Sequence, residues 1–151
     1  MSDGYGNRRV IVVDANTGAF KRMWGAFGNK PLDDPPAQDL ERMAAGETGD
    51  GPQQFSGTPH NIGVSNDGLV YVSDRGNRRI QVFTTDGKYV TQGFVNRDAE
   101  GLSTAGIAFS ADPEQRFLYT PDFHWGHVWV LDRKTLRVLY KFGEETGKPG
   151  D

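Results

Sequence analysis

Three times along the chain a polar corner separates two short runs in which apolar residues fall at every second position. The clearest copy runs Gly68-Leu-Val-Tyr-Val-Ser-Asp-Arg-Gly-Asn-Arg-Arg-Ile-Gln-Val-Phe83, followed by the turn Thr85-Asp-Gly-Lys88. Val70, Val72, Ile80 and Val82 keep the two-residue period of strands with one buried face. An Asp-Gly turn between such runs marks a hairpin.

The other copies repeat this order. Ser2-Asp-Gly-Tyr-Gly-Asn-Arg-Arg-Val10 runs into Ile11-Val-Val-Asp-Ala-Asn-Thr-Gly18, and Thr120-Pro-Asp-Phe-His-Trp-Gly-His-Val128 runs into Trp129-Val-Leu-Asp-Arg-Lys-Thr135. Further apolar strands are expected at Phe20 to Gly28, Tyr89 to Phe94 and Leu136 to Gly143. Two more, His60 to Ser65 and Gly106 to Ser110, precede the second and third copies. A unit of four consecutive antiparallel strands has the length of a propeller blade. The sequence therefore predicts an all-β fold of about ten strands, a partial β-propeller that is an incomplete ring in one chain.

The expected divisions are half a blade at 1–28, a long inter-blade loop at 29–57, complete blades at 58–95 and 96–143, and a linker to an absent blade at 144–151. Within the loop, Asp34 to Ala45 is expected to form a short helix capped by Asp34; the rest reads as an irregular surface excursion. A ring needs about four to eight blades, and fewer leave edge strands unpaired. Self-association, with a homodimer favoured, follows as an expectation.

Composition narrows the function classes. With 20 glycines and 8 prolines the 151 residues lean towards many turns, and the net charge of −3 argues against a nucleic-acid footprint. The pairs Arg8-Arg9 and Arg78-Arg79 read as solvated loop arginines. With no cysteine there is no thiol chemistry, disulfide or Cys-based zinc site. No apolar run approaches a membrane span, and Met1-Ser-Asp-Gly lacks a signal-peptide core, so a soluble, by default cytoplasmic, protein is expected.

Repeats of the form Gly-Leu-Val-Tyr-Val-Ser-Asp-Arg-x-Asn-x-Arg-Ile-Gln-Val-Phe resemble the NHL repeat, whose propellers are commonly six-bladed. Within that family, Ser2-Asp-Gly-Tyr-Gly-Asn7, Met23-Trp-Gly25, Pro59-His60 and Ser73-Asp-Arg75 are similar to the peptidyl-hydroxyglycine amidating lyase domain and its bacterial relatives. The resemblance implies Tyr5 and Arg75 as catalytic residues and His60 as a zinc ligand. The lyase's remaining zinc histidines, a further arginine and a late His-Asp pair have no counterpart here. Phe123-His-Trp-Gly126 also departs from the usual polar corner.

Strand order supplies a separate reading. His60 opens a first strand, Tyr5 and Arg75 close second strands, and His124 and His127 lie at the equivalent corner of the third blade. All five fall on one face of the ring, where a rigid scaffold presents its functional loops. His60 is either a metal ligand or a strand-start histidine satisfied by a loop carbonyl. His124 and His127 either bind a metal or stack beside Phe123 and Trp125. Tyr5 either orients a substrate or caps its corner. Arg75 either grips an anion or braces Asp74 or a neighbouring blade. Asp3, Asp74 and Asp122 recur at one blade position and read as structural corner acceptors.

Three functions follow as expectations. The first is a non-enzymatic module binding a peptide or small ligand on the loop face. The second is a zinc-dependent lyase-like enzyme whose composite site forms by oligomerisation. The third is a propeller fragment without activity.

Overall fold

The computed structural model describes residues 1–32, 46, 48–57 and 59–144. Its strands, in chain order, are β1 (Ser2–Asp3), β2 (Arg9–Val13), β3 (Phe20–Trp24), β4 (Pro59–Val64), β5 (Leu69–Asp74), β6 (Arg79–Thr84), β7 (Tyr89–Phe94), β8 (Ala108–Phe109), β9 (Phe117–Pro121), β10 (Val128–Asp132) and β11 (Val138–Phe142). They form three antiparallel sheets, β1-β2-β3, β4-β5-β6-β7 and β11-β10-β9-β8. This is the partial propeller expected, with eleven strands among the described residues rather than about ten. The first sheet has three strands, not two. The expected helix over Asp34 to Ala45 lies outside the described residues, as do residues 145–151 of the expected linker.

Two strands are shorter than the apolar runs suggested. β3 stops at Trp24 because a tight turn, Ala26–Gly28, follows it, with Phe27 and Gly28 at φ 56 and 77. A left-handed backbone cannot continue a strand. β8 keeps only Ala108–Phe109 of the expected five residues.

The reading of one buried face per strand is corrected by the register. Val70 pairs Phe83 and Tyr71 pairs Val82, so alternate pairs of the second sheet point to opposite sides. Val70, Val72 and Phe83 pack with Val10, Trp24 and Phe55 towards the first sheet. Tyr71, Ile80 and Val82 pack with Leu118, Leu131 and Leu136 towards the third. The middle sheet lies between two neighbours and is buried on both faces. Burial of such side chains is worth about 1.5–3 kcal/mol each.

At the opposite end of the strands from the corners, Arg133 of the third sheet reaches Asp67 in the β4–β5 turn. Its two terminal nitrogens donate to the two carboxylate oxygens at 2.9 and 3.0 Å, and it also donates to Tyr71 Oη at 3.0 Å. These bonds clamp the second sheet to the third.

Candidate functional site

Each corner is built around the aspartate that ends its second strand. Asp74 Oδ1 accepts from the Ser56 N–H and hydroxyl at 2.9 and 2.8 Å. Its Oδ2 accepts from Asn77 Nδ2 and Arg79 Nε, both at 2.8 Å. In the first sheet Asp3 accepts from Asn7 Nδ2 at 3.0 Å and Arg9 Nε at 2.9 Å. In the third, Asp122 Oδ2 accepts from His127 Nδ1 and Trp129 Nε1, both at 3.2 Å. Asp3, Asp74 and Asp122 are corner acceptors, as their recurrence suggested.

Three of the four paired arginines are not solvated: Arg79 is 0% exposed and Arg8 and Arg78 are also buried, while Arg9 is partly exposed. Arg79 spends its remaining donors on the carbonyls of Asp50, Pro52 and Gln54 at 2.8–3.1 Å. A buried guanidinium needs a carboxylate and oxygen acceptors together, and the aspartate five positions upstream was the signal for it. The surface-excursion reading is corrected only at the end of the loop. Phe55 and Ser56 are fully buried and, with the Gln54 carbonyl on Arg79, form the floor beneath the second corner.

On this floor the structure brings Tyr5, His60 and Arg75 together. The Tyr5 N–H donates to Gly57 O at 2.7 Å, with Tyr5 itself at φ 55, and its ring centre lies 6.4 Å from that of His60. A non-glycine residue held in the left-handed region carries strain of about 1–3 kcal/mol. His60 Nδ1 lies 2.6 Å from Ala105 O. A carbonyl only accepts, so Nδ1 carries a proton, and in the neutral ring Nε2 is the acceptor. The loop-carbonyl reading of His60 thus holds for one nitrogen.

Arg75 follows Asp74 in a 3-10 turn, Arg75–Asn77, and is only 7% exposed. Its Nη2 donates to Tyr5 Oη at 3.4 Å, and its guanidinium carbon lies 5.9 Å from the Tyr5 ring and 4.7 Å from that of Phe123. Its Nε is buried without a partner, and among the described residues no carboxylate lies within ion-pair distance. Bracing of Asp74 falls to Arg79, not Arg75. Sequence reasoning missed Phe123 as the cover of this arginine. Its only signal was the departure of Phe123-His-Trp-Gly126 from a polar corner.

His124 and His127 do not join this group through any direct contact. His124 sits edge-on between Phe123 and Trp125, with ring centres 5.4 and 5.5 Å away, as the stacking reading required. His127 occupies the place of Arg79 on its own corner aspartate. Catalytic zinc takes about three protein ligands, and no group of three His, Cys, Asp or Glu side chains converges among the described residues. The described residues of one chain do not fit zinc, and they support no metal-dependent step.

Residues 57–83 match the NHL repeat family, so the family named by the sequence motif is supported. NHL repeat-containing protein 3 of Homo sapiens is 51% identical over 94 residues, 62% of this chain and 24% of that protein. Its Mus musculus counterpart is 32% identical over 106 residues, 70% of this chain and 26% of its own length. The chain thus spans about a quarter of each relative. Both are mammalian and neither bears a lyase name, so the expected bacterial, lyase-like kinship is not what these matches show. The crystal structure of Saccharomyces cerevisiae Sqt1 superposes with a TM-score of 0.56 over 93% of this chain and 30% of that one, at 14% identity, a likeness of fold alone.

Proposed function

We propose that this NHL-repeat chain is a propeller interaction module whose loop face binds a carboxylate-bearing peptide or small molecule at Arg75. One observation carries the reading: Arg75 is only 7% exposed and has a hydroxyl, not a carboxylate, as its hydrogen-bonding partner. Burying a charge without a counter-ion is costly. A ligand carboxylate would supply the missing charge, and the guanidinium fork is shaped to bind one bidentately. Phe123 and Tyr5 flank the fork and keep its surroundings apolar, which strengthens the pairing. Tyr5 Oη and His60 Nε2 add one hydroxyl and one acceptor beside it. These groups suit recognition, and binding rather than carbon–nitrogen cleavage is the function they support.

The test is calorimetry with an N-acetylated dipeptide bearing a free carboxylate, against the same dipeptide as its C-terminal amide. The carboxylate is expected to bind at least about tenfold more tightly, and Arg75→Met to abolish the difference. Equal binding of acid and amide would overturn the reading.

The module also associates with a second copy in this reading. The outer faces of the first and third sheets carry Ile11, Val13 and Met23, and Tyr119, Val130 and Tyr140, with no neighbouring sheet among the described residues; Tyr140 is 64% exposed. Two copies hold six sheets, the number of blades in a common propeller ring. Light scattering behind a sizing column is expected to give twice the chain mass, and a monomer at high concentration would refute the assembly.

A further inference from the structure

The residue after the corner aspartate holds the same place in all three sheets: Gly4 after Asp3, Arg75 after Asp74 and Phe123 after Asp122. In the first sheet a side chain there has no room, since a Cβ at Gly4 would lie 3.0 Å from Pro59 O. The second and third corners do carry side chains, and these meet. The Arg75 guanidinium carbon lies 4.7 Å from the Phe123 ring centre. Phe123 nevertheless stays 59% exposed, so its ring offers a further surface to a ligand.

A single exposed aromatic ring is ordinary, but this one belongs to a fixed surface. The Phe123 N–H donates to Leu102 O at 3.2 Å and the Trp125 N–H to Asp122 Oδ1 at 2.9 Å, which pins the backbone on both sides of the ring. Phe123, His124 and Trp125 form a run of edge-on rings, with successive centres 5.4 and 5.5 Å apart. Gly101, at φ 93, lets the preceding loop close against this run. A Cβ there would lie 2.7 Å from His124 Cδ2 and 3.1 Å from Trp125 Cη2. Rings held in place lose little freedom when a ligand docks, so they add affinity at low entropic cost.

We propose that the ligand of this face is a polypeptide C-terminus whose last residue is aromatic, with its carboxylate on Arg75 and its ring on Phe123. The inference rests on the reading of Arg75 as a carboxylate site. Adjacent side chains of an extended peptide point to opposite faces, so an acidic side chain and the ring beside it cannot both reach two groups 4.7 Å apart. A terminal aromatic residue carries the carboxylate and the ring on one Cα. The platform continues past Phe123 for two more rings, where the preceding residue of a peptide lies and a small aryl acid does not reach. Offset or edge-on ring pairs favour an aromatic partner beyond its buried area.

The test is calorimetry on the full chain with acetyl-Gly-Phe, acetyl-Gly-Ala, acetyl-Gly-Phe-amide and 3-phenylpropanoate. Acetyl-Gly-Phe is expected to bind at least about fivefold more tightly than acetyl-Gly-Ala, and Phe123→Ala to bring that ratio to about one. Nuclear magnetic resonance should show the ring protons of bound acetyl-Gly-Phe shifted by wild type and not by Phe123→Ala. Equal binding of the Phe and Ala peptides, with the amide still weaker, would overturn this inference and leave the Arg75 reading standing. An amide as tight as the acid would overturn the Arg75 reading and this inference with it. A Phe-to-Ala ratio unchanged in Phe123→Ala, or 3-phenylpropanoate as tight as the dipeptide, would overturn the assignment to a terminal aromatic residue on Phe123.

Discussion

Arg79 donates through Nε to Asp74 Oδ2 at 2.8 Å, and both side chains are fully withdrawn from water. The pair fixes where the second strand ends and the third begins, and so where Arg75 emerges. Asp74→Asn would leave the Arg79 charge buried with only carbonyl partners. A loss of about 3–5 kcal/mol is expected in urea unfolding, the size found when one partner of a buried ion pair is removed. A loss below about 1 kcal/mol would show that the carbonyls of Asp50, Pro52 and Gln54 suffice.

At the third corner the same place is held by His127, which gives Asp122 a single ring N–H, and the Trp129 indole supplies the second donor. His127→Ala should cost about 1–3 kcal/mol by leaving a buried carboxylate short of a bond. If the histidine is structural, zinc in excess raises the melting temperature of wild type and variant equally. A zinc-dependent stabilisation confined to the wild type would make His127 a ligand.

The parts of this molecule that the sequence disclosed are those whose signals are local. Alternation at Val70, Val72, Ile80 and Val82, together with the Asp86-Gly87 turn, specified the strands and hairpin, and strand order placed Tyr5, His60 and Arg75 on one face. What stayed hidden is set by contacts between sheets. Phe123 covers Arg75 from a different sheet, and Ser56 serves Asp74 from a stretch with no regular pattern. Arg78 and Arg79 looked solvated because charge alone does not reveal a buried partner. The two-sided burial of the middle sheet was likewise invisible, since an apolar residue carries no mark of which neighbour it meets.

Phe123 stands over the guanidinium of Arg75 yet is itself exposed. Its removal should therefore alter the site more than the fold. Phe123→Ala is expected to change stability by no more than about 0.5 kcal/mol. Letting water reach Arg75 should weaken carboxylate binding by about 2- to 30-fold, from a cation–π contribution of about 0.5–2 kcal/mol. Phe123→Leu, which restores apolar cover without the ring, should recover only part of the affinity. Full recovery would show that exclusion of water, not the ring's charge distribution, is what matters.

Asp67 and Arg133 join the second and third sheets far from that corner, and their bond sets a response to acid. Hydrogen bonds from Arg133, and then from Ser65, hold the Asp67 carboxyl below its ordinary value of 3.8. A group whose folded value is depressed contributes stability that is present above its unfolded value and lost as pH falls through the folded one. The wild type should therefore exceed Asp67→Asn in urea midpoint at neutral pH, and the gap should close as pH falls below about 3.8. Asp14 is also held low, by Lys21 first and then by its turn partners, and Asp86, Asp112 and Asp132 by their own turn partners. They titrate alike in both proteins, so their effect cancels in the difference. A gap that persists unchanged at about pH 2–3 would mean that Asp67 acts through its uncharged hydrogen bonds and that the clamp is not ionic.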